Sequence, residues 1–134
     1  MAGENYKVLI IDDDKFLLDM YSIKFKEHGL VVNTSFGGED ALKKIREGYA
    51  PDIVLLDLVM PGMDGFGFLD ALRKDNLIPN AVIIILSNQG QPSEIDKAKE
   101  RRVDGYIVKA STIPSEVLSE VMKIAKEKMG TAKG

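Results

Sequence analysis

Five short runs rich in Val, Ile and Leu alternate along this chain with segments whose apolar residues recur at helical spacing, and few folds accommodate that pattern. The runs are Lys7–Ile11, Leu30–Ser35, Ile53–Leu56 closed by Asp57, Ala81–Leu86 and Tyr106–Val108. They are largely continuous in apolar character rather than alternating, as strands buried on both faces are. Asn33 and Thr34 make the second run the least buried. The helical patterns between them rest on Phe16, Leu17, Met20, Tyr21 and Phe25, then on Ala41, Leu42 and Ile45, then on Phe68, Leu69 and Leu72. A fourth helix opens at Pro92-Ser93-Glu94 and runs to Arg101, and a fifth carries Val117, Leu118, Val121, Ile124 and Ala125.

Local chemistry supports these bounds. Asp14 suits an N-cap, Gly29 a residue just past a helix end, and Gly48 a helix stop. Pro114 suits a first helical position, where its missing N–H costs nothing. Pro61-Gly62-Met63-Asp64-Gly65 is a loop with strong turn chemistry. Regular β–α alternation predicts an α/β fold, a doubly wound parallel sheet with helices on both faces. Five strands favour the order 2-1-3-4-5, a flavodoxin-like three-layer sandwich that binds ligands outside the carboxyl ends of strands 1 and 3.

Composition narrows the function. The chain has 134 residues, 45% hydrophobic and 29% charged, enough for one domain with one core. We expect that domain to span 1–128, leaving 129–134 as a tail without fixed structure, too short for an output domain. No apolar run approaches the ~20 residues of a membrane span. The first residues lack the basic and apolar regions of a signal peptide. No cysteine is present, which excludes disulfides and thiolate metal sites, and the lone His28 suits a helix C-terminus rather than a zinc site. The net charge of −3 argues against nucleic acid as the main partner. The expectation is a cytoplasmic protein with no membrane and no nucleic-acid partner.

In a parallel sheet the C-terminal ends of all strands share one edge. Asp12 and Asp13 follow strand 1 and Asp57 follows strand 3, so the three acids should converge. Two unit charges ~4 Å apart repel by about 4 kcal/mol at an effective dielectric near 20, so such a cluster calls for a cation, shared protons or both. Carboxylate oxygens favour magnesium, which keeps positions for water and phosphate. Ser87 ends strand 4 and Lys109 follows strand 5, on the same edge. An acid cluster, a hydroxyl and an ammonium together suit phosphoryl transfer onto a carboxylate. Three acids serving only as caps would leave Ser87 and Lys109 unexplained. Asp14 by contrast reads as a cap, Asp64 as a turn residue and Asp52 as a surface residue. Lys97, Lys99, Arg101 and Arg102 read as a solvated face, and Phe66 and Phe68 as packing.

Taken in order over essentially the whole chain, these motifs resemble the receiver domains of two-component response regulators, in their single-domain, chemotaxis-regulator-like form. Ile10-Ile11-Asp12-Asp13-Asp14 is similar to the family's acid pair. Pro51 to Asp57, followed by Met60-Pro61-Gly62-Met63-Asp64-Gly65, is similar to its acceptor strand and loop. Ser87 falls at the family's Thr or Ser, Tyr106 at its aromatic switch position and Lys109 at its lysine. The resemblance implies that Asp57 accepts a phosphoryl group from a sensor histidine kinase or a histidine phosphotransfer protein. It implies that Asp13 and Asp57 ligate Mg2+ directly, with the backbone carbonyl of Val59, while Asp12 acts mainly through water; Mn2+ is expected to substitute. Ser87 and Lys109 would bind phosphoryl oxygens, with Asn88 beside them. Ser87 and Tyr106 would switch the surface of helix 4, strand 5 and helix 5 toward a downstream protein of unknown identity. The chain would catalyse its own aspartyl phosphorylation and dephosphorylation but turn over no separate substrate.

The chain also departs from the family pattern. Ala110 replaces the usual proline after Lys109, which favours a trans Lys109–Ala110 bond, since a non-proline cis bond costs about 3 kcal/mol. Asn88 is larger than the usual residue after Ser87 and narrows access to Asp57. Arg102 stands where a helix-ending glycine is common. Val59 and Gln89 occupy variable positions beside the phosphoryl group. Rival readings are a haloacid-dehalogenase-like phosphatase using Asp12 and Asp14, a flavodoxin-like FMN binder, and a pseudo-receiver interaction module. The first lacks the motif's next residue, having Phe16, and lacks room for a cap domain. The second would set acids against a phosphate. The third is opposed by the intact acid, hydroxyl and lysine set.

Overall fold

A computed structural model describes residues 6–87, 91–109 and 113–130, the last two without their side chains. The chain alternates strand and helix: β1 (Lys7–Ile11), α1 (Lys15–Glu27), β2 (Val31–Ser35), α2 (Gly38–Arg46), β3 (Ile53–Leu56), α3 (Gly65–Lys74), β4 (Val82–Ser87), α4 (Pro92–Glu100), β5 (Gly105–Val108) and α5 (Pro114–Ala125). A π-helical turn, Lys126–Gly130, continues from α5 into the stretch expected as a tail. The strands form one parallel sheet in the order β2-β1-β3-β4-β5, the expected order, with the switch of direction between β1 and β3.

Side-chain alternation sorts the core into two layers. Val8, Ile10, Leu55 and Ile84 face the side covered by α1 and α5, where Leu18, Phe25, Val117 and Val121 meet them. Leu9, Ile11, Leu56 and Ile85 face the side covered by α2, α3 and α4, against Leu42, Phe68, Leu72 and Ala98. The central strands are buried along their whole length, whereas β2 is only partly covered. One expectation fails in α1. Phe16 is 71% exposed, because the buried stripe is Leu18, Tyr21 and Phe25 and residue 16 lies about 200° of helical turn from residue 18.

Helix ends follow the expected chemistry. The Asp14 carboxylate caps α1 by accepting from the Leu17 N–H at 3.2 Å, and Asp64 caps α3 by accepting from the Gly67 N–H at 2.8 Å. Gly29 takes φ +89 beyond α1. Beyond α4 the same left-handed position is held by Arg102, at φ +58, whose N–H reaches the Lys99 carbonyl. Arg73 braces the turn, donating to the carbonyls of Arg101 and Arg102 at 3.2 Å each. Arg101 is not the solvated cation expected. It grips Asp70 at 2.8 Å and lies 4.8 Å from the centre of the Phe66 ring, tying the end of α4 to α3. A non-glycine residue in the left-handed region carries strain. Arg102→Gly should therefore raise stability by roughly 0.5–1 kcal/mol in urea titration.

Candidate functional site

Register alone brings the acids together. Ile11 pairs with Leu56 across β1 and β3, so Asp12 and Asp57 leave the sheet side by side. The Asp57 N–H donates to the Ile11 carbonyl at 2.9 Å, and the Asp12 N–H to the Ser35 carbonyl at 3.1 Å. Asp12 is 1% and Asp57 5% exposed, while Asp13 faces solvent. One oxygen from each of the three carboxylates lies within 4.8 Å of the others, a spacing that fits a shared cation. On the far side of the switch Ser87 pairs with Val108, which places Lys109 next on the same edge. Its ammonium lies 2.7 Å from Asp12 Oδ2 and 3.6 Å from Asp57 Oδ2.

Each acid has a different surrounding. Asp12 Oδ1 accepts from the Asp14 N–H at 2.9 Å while Oδ2 accepts from Lys109, so the protein engages both of its oxygens. Among protein groups alone, burial pushes the Asp57 carboxyl up to about 6. The Asp12 charge adds to that rise, and Lys109 and the Val59 N–H oppose it. Burial acts to lower the Lys109 ammonium, but its hydrogen bond to Asp12 and the charges of Asp57 and Asp12 outweigh burial and raise it. With all three acids ionised, three negative charges face one ammonium and two remain unbalanced. A divalent cation supplies that balance, and the donor set suits a hard one.

The loop after β3 is shaped by close approach. The Gly65 N–H donates to the Leu58 carbonyl at 2.9 Å, and a Cβ on Gly65 would stand 2.6 Å from the Asp57 carbonyl oxygen. Only glycine fits there. Val59, in this loop, is 69% exposed, and its backbone N–H donates to the Asp57 carboxylate. Ser87 is 3% exposed at the end of β4. Tyr106 is half-buried on β5; burial raises its phenol pKa, the Ser87 hydroxyl pulls against that rise, and Glu94 adds to it. The expectations for Asn88 and Gln89, and for the Lys109–Ala110 bond, lie outside the described residues. The structure thus brings together Asp12, Asp13, Asp57 and Lys109. Ser87 and Tyr106 form a neighbouring group with a residue that sequence reasoning missed, Glu94, whose carboxylate meets both hydroxyls. Its position after Pro92 signalled only a helix start.

A family model described as the response regulator receiver domain matches residues 8–121. The chain belongs to that family, whose members serve two-component signalling. The receiver domain of the Francisella response regulator 1452 superposes with a TM-score of 0.81 at 32% identity, over 92% of this chain and 98% of that one. The Vibrio cholerae chemotaxis protein CheY4 superposes with a TM-score of 0.82 at 28% identity, over 90% of this chain and 98% of that one. The probable transcriptional regulator ycf27 of Pyropia yezoensis is 30% identical over all of this chain and 54% of its own length. The chain spans about half the length of the curated relatives it matches. Among the described residues no helix is long and apolar enough to cross a membrane.

The acid cluster has a measurable cost. Because the Asp57 pKa is raised in the fold, the unfolded chain binds fewer protons between about 4 and 6, and stability falls as pH rises through that window. In chelator, Asp57→Asn should raise the unfolding free energy above pH 6, by on the order of 2 kcal/mol in urea titration, and the gain should shrink toward pH 4. A gain that is the same at both ends of the window would assign the effect to something other than this ionisation.

Proposed function

We propose that the chain takes a phosphoryl group onto Asp57 with the help of Mg2+, from a phosphohistidine on a sensor histidine kinase or histidine phosphotransfer protein, and signals by protein–protein contact. The observation that carries this reading is the buried trio of Asp12, Asp57 and Lys109 beside exposed Asp13. Asp12 has both oxygens engaged by the protein, which favours its acting through metal-bound water. Asp13 and Asp57 are then the direct carboxylate ligands, with the Val59 carbonyl as a third donor. When bound, the cation supplies charge neutralisation for the phosphoryl oxygens. Lys109, 3.6 Å from Asp57 Oδ2, provides a second positive charge, and its raised pKa keeps it protonated. An Asp57 carboxyl near 6 is ionised at neutral pH and so nucleophilic. Ser87 offers a hydroxyl to one phosphoryl oxygen.

The same arrangement opposes turnover of a separate substrate. Asp12, the nucleophile of the phosphatase alternative, is tied to Lys109, and Asp14 is committed as a helix cap. A pseudo-receiver would have no use for this buried charge, whose desolvation is costly without a chemical role.

Beryllofluoride, a phosphoryl mimic, should bind in titration calorimetry only with Mg2+ present and Asp57 intact. Asp57→Asn should abolish that binding and also the labelling from a phosphorylated histidine kinase. Retention of an acid-labile label in that variant would sink the assignment of Asp57.

Hydrolysis of the aspartyl phosphate needs a water in line with the scissile bond. Val59 offers no polar group to orient one. The phosphoryl lifetime should therefore be many minutes or longer, and Val59→Asn should shorten it in a timed dephosphorylation assay. A half-life of seconds, unchanged by the substitution, would show that Val59 does not guard the site.

A further inference from the structure

Ser87 and Tyr106 both hydrogen-bond a carboxylate that no part of the phosphoryl chemistry requires. Glu94, in the first turn of α4, sets Oε1 3.4 Å from Ser87 Oγ and 3.0 Å from the Tyr106 hydroxyl oxygen. Ser87 comes from β4, Tyr106 from β5 and Glu94 from α4, so this one oxygen joins three elements. A serine hydroxyl carries a single proton. Ser87 also hydrogen-bonds the Tyr106 phenol, so its proton is shared within this Glu94–Tyr106 group, and to the extent that it is held there it is not available to a phosphoryl oxygen on Asp57. A charged acceptor holds such donors more firmly than a neutral one. The first turn of a helix also favours a negative charge. The longer of its two bonds is the one to Ser87, and the shorter is the one to Tyr106.

We propose that Glu94 is a positioning residue that competes with the phosphoryl group for the Ser87 proton and, through the same oxygen, tethers Tyr106 to α4. Phosphorylation draws Ser87 toward Asp57 and leaves Glu94 with Tyr106 alone, so occupation of the acceptor is reported directly at the first turn of α4. The inference rests on the reading of Asp57 as acceptor.

The test is a double-mutant cycle on beryllofluoride affinity with Mg2+, using Glu94→Ala, Glu94→Gln, Ser87→Ala and the combined variants. Removing the competitor should tighten binding on the order of five-fold in Glu94→Ala. Glu94→Gln, which keeps a weaker neutral acceptor, should tighten it less. In the Ser87→Ala background neither substitution should matter. Unchanged or weaker binding in Glu94→Ala overturns the proposal. So does an equal gain with Ser87→Ala, because the effect would then be one of overall charge. Glu94 is half-buried on a surface helix, so each variant should melt as a folded protein, and its thermal melt is recorded alongside. Failure of the wild-type protein to bind beryllofluoride would instead sink the reading of Asp57. In that event the tether is judged separately by the NMR shifts of a 13C-labelled Tyr106 ring, which should change in Glu94→Ala and which overturn the tether if unchanged.

Discussion

The pairing of Lys109 with Asp12 is the interaction on which the site depends. Two carboxylates are carried into a nearly solvent-free corner because their strands are neighbours in register, and burial of unpaired charge is costly. An ammonium 2.7 Å from one and 3.6 Å from the other makes that burial tolerable without cancelling it. The remaining negative charge gives the cluster a donor set that could hold a cation.

Around that pair the fold supplies rigid supports rather than further charges. The sheet fixes Asp12, Asp57 and Lys109 through backbone pairing, so their spacing does not depend on loop conformation. The turn after Asp57 is then folded back so tightly that Gly65 packs against the Asp57 carbonyl. Asp64 closes the same loop by capping α3. Asp57 thus sits between a strand and a capped helix, with its backbone held on both sides.

Much of this was legible in the chain. The apolar runs marked strands because they are short and continuous, and the acids, Ser87 and Lys109 were placed on one edge by parallel topology alone. What escaped the sequence depended on side chains meeting across elements. The exposure of Phe16 depends on which of several apolar stripes α1 turns inward, and periodicity admits more than one. Arg101 looked solvated because its partners, Asp70 and Phe66, belong to another helix about thirty residues away. Glu94 was hidden for the same reason: a glutamate after a proline is ordinary helix-start chemistry, and its meeting with Ser87 and Tyr106 exists only in three dimensions. Arg102 was noticed as an unusual residue, and its left-handed backbone gives that oddity a physical content.

The clamp formed by Arg101, Asp70 and Phe66 has a mechanical consequence. It fastens the C-terminal end of α4 to α3, whereas the opposite end is held to the sheet through Glu94. A nine-residue helix is about 13 Å long. Were the Glu94 contacts released while those of Arg101 held, such a helix would pivot about its C-terminal end, with displacement smallest at Arg101 and largest at Pro92.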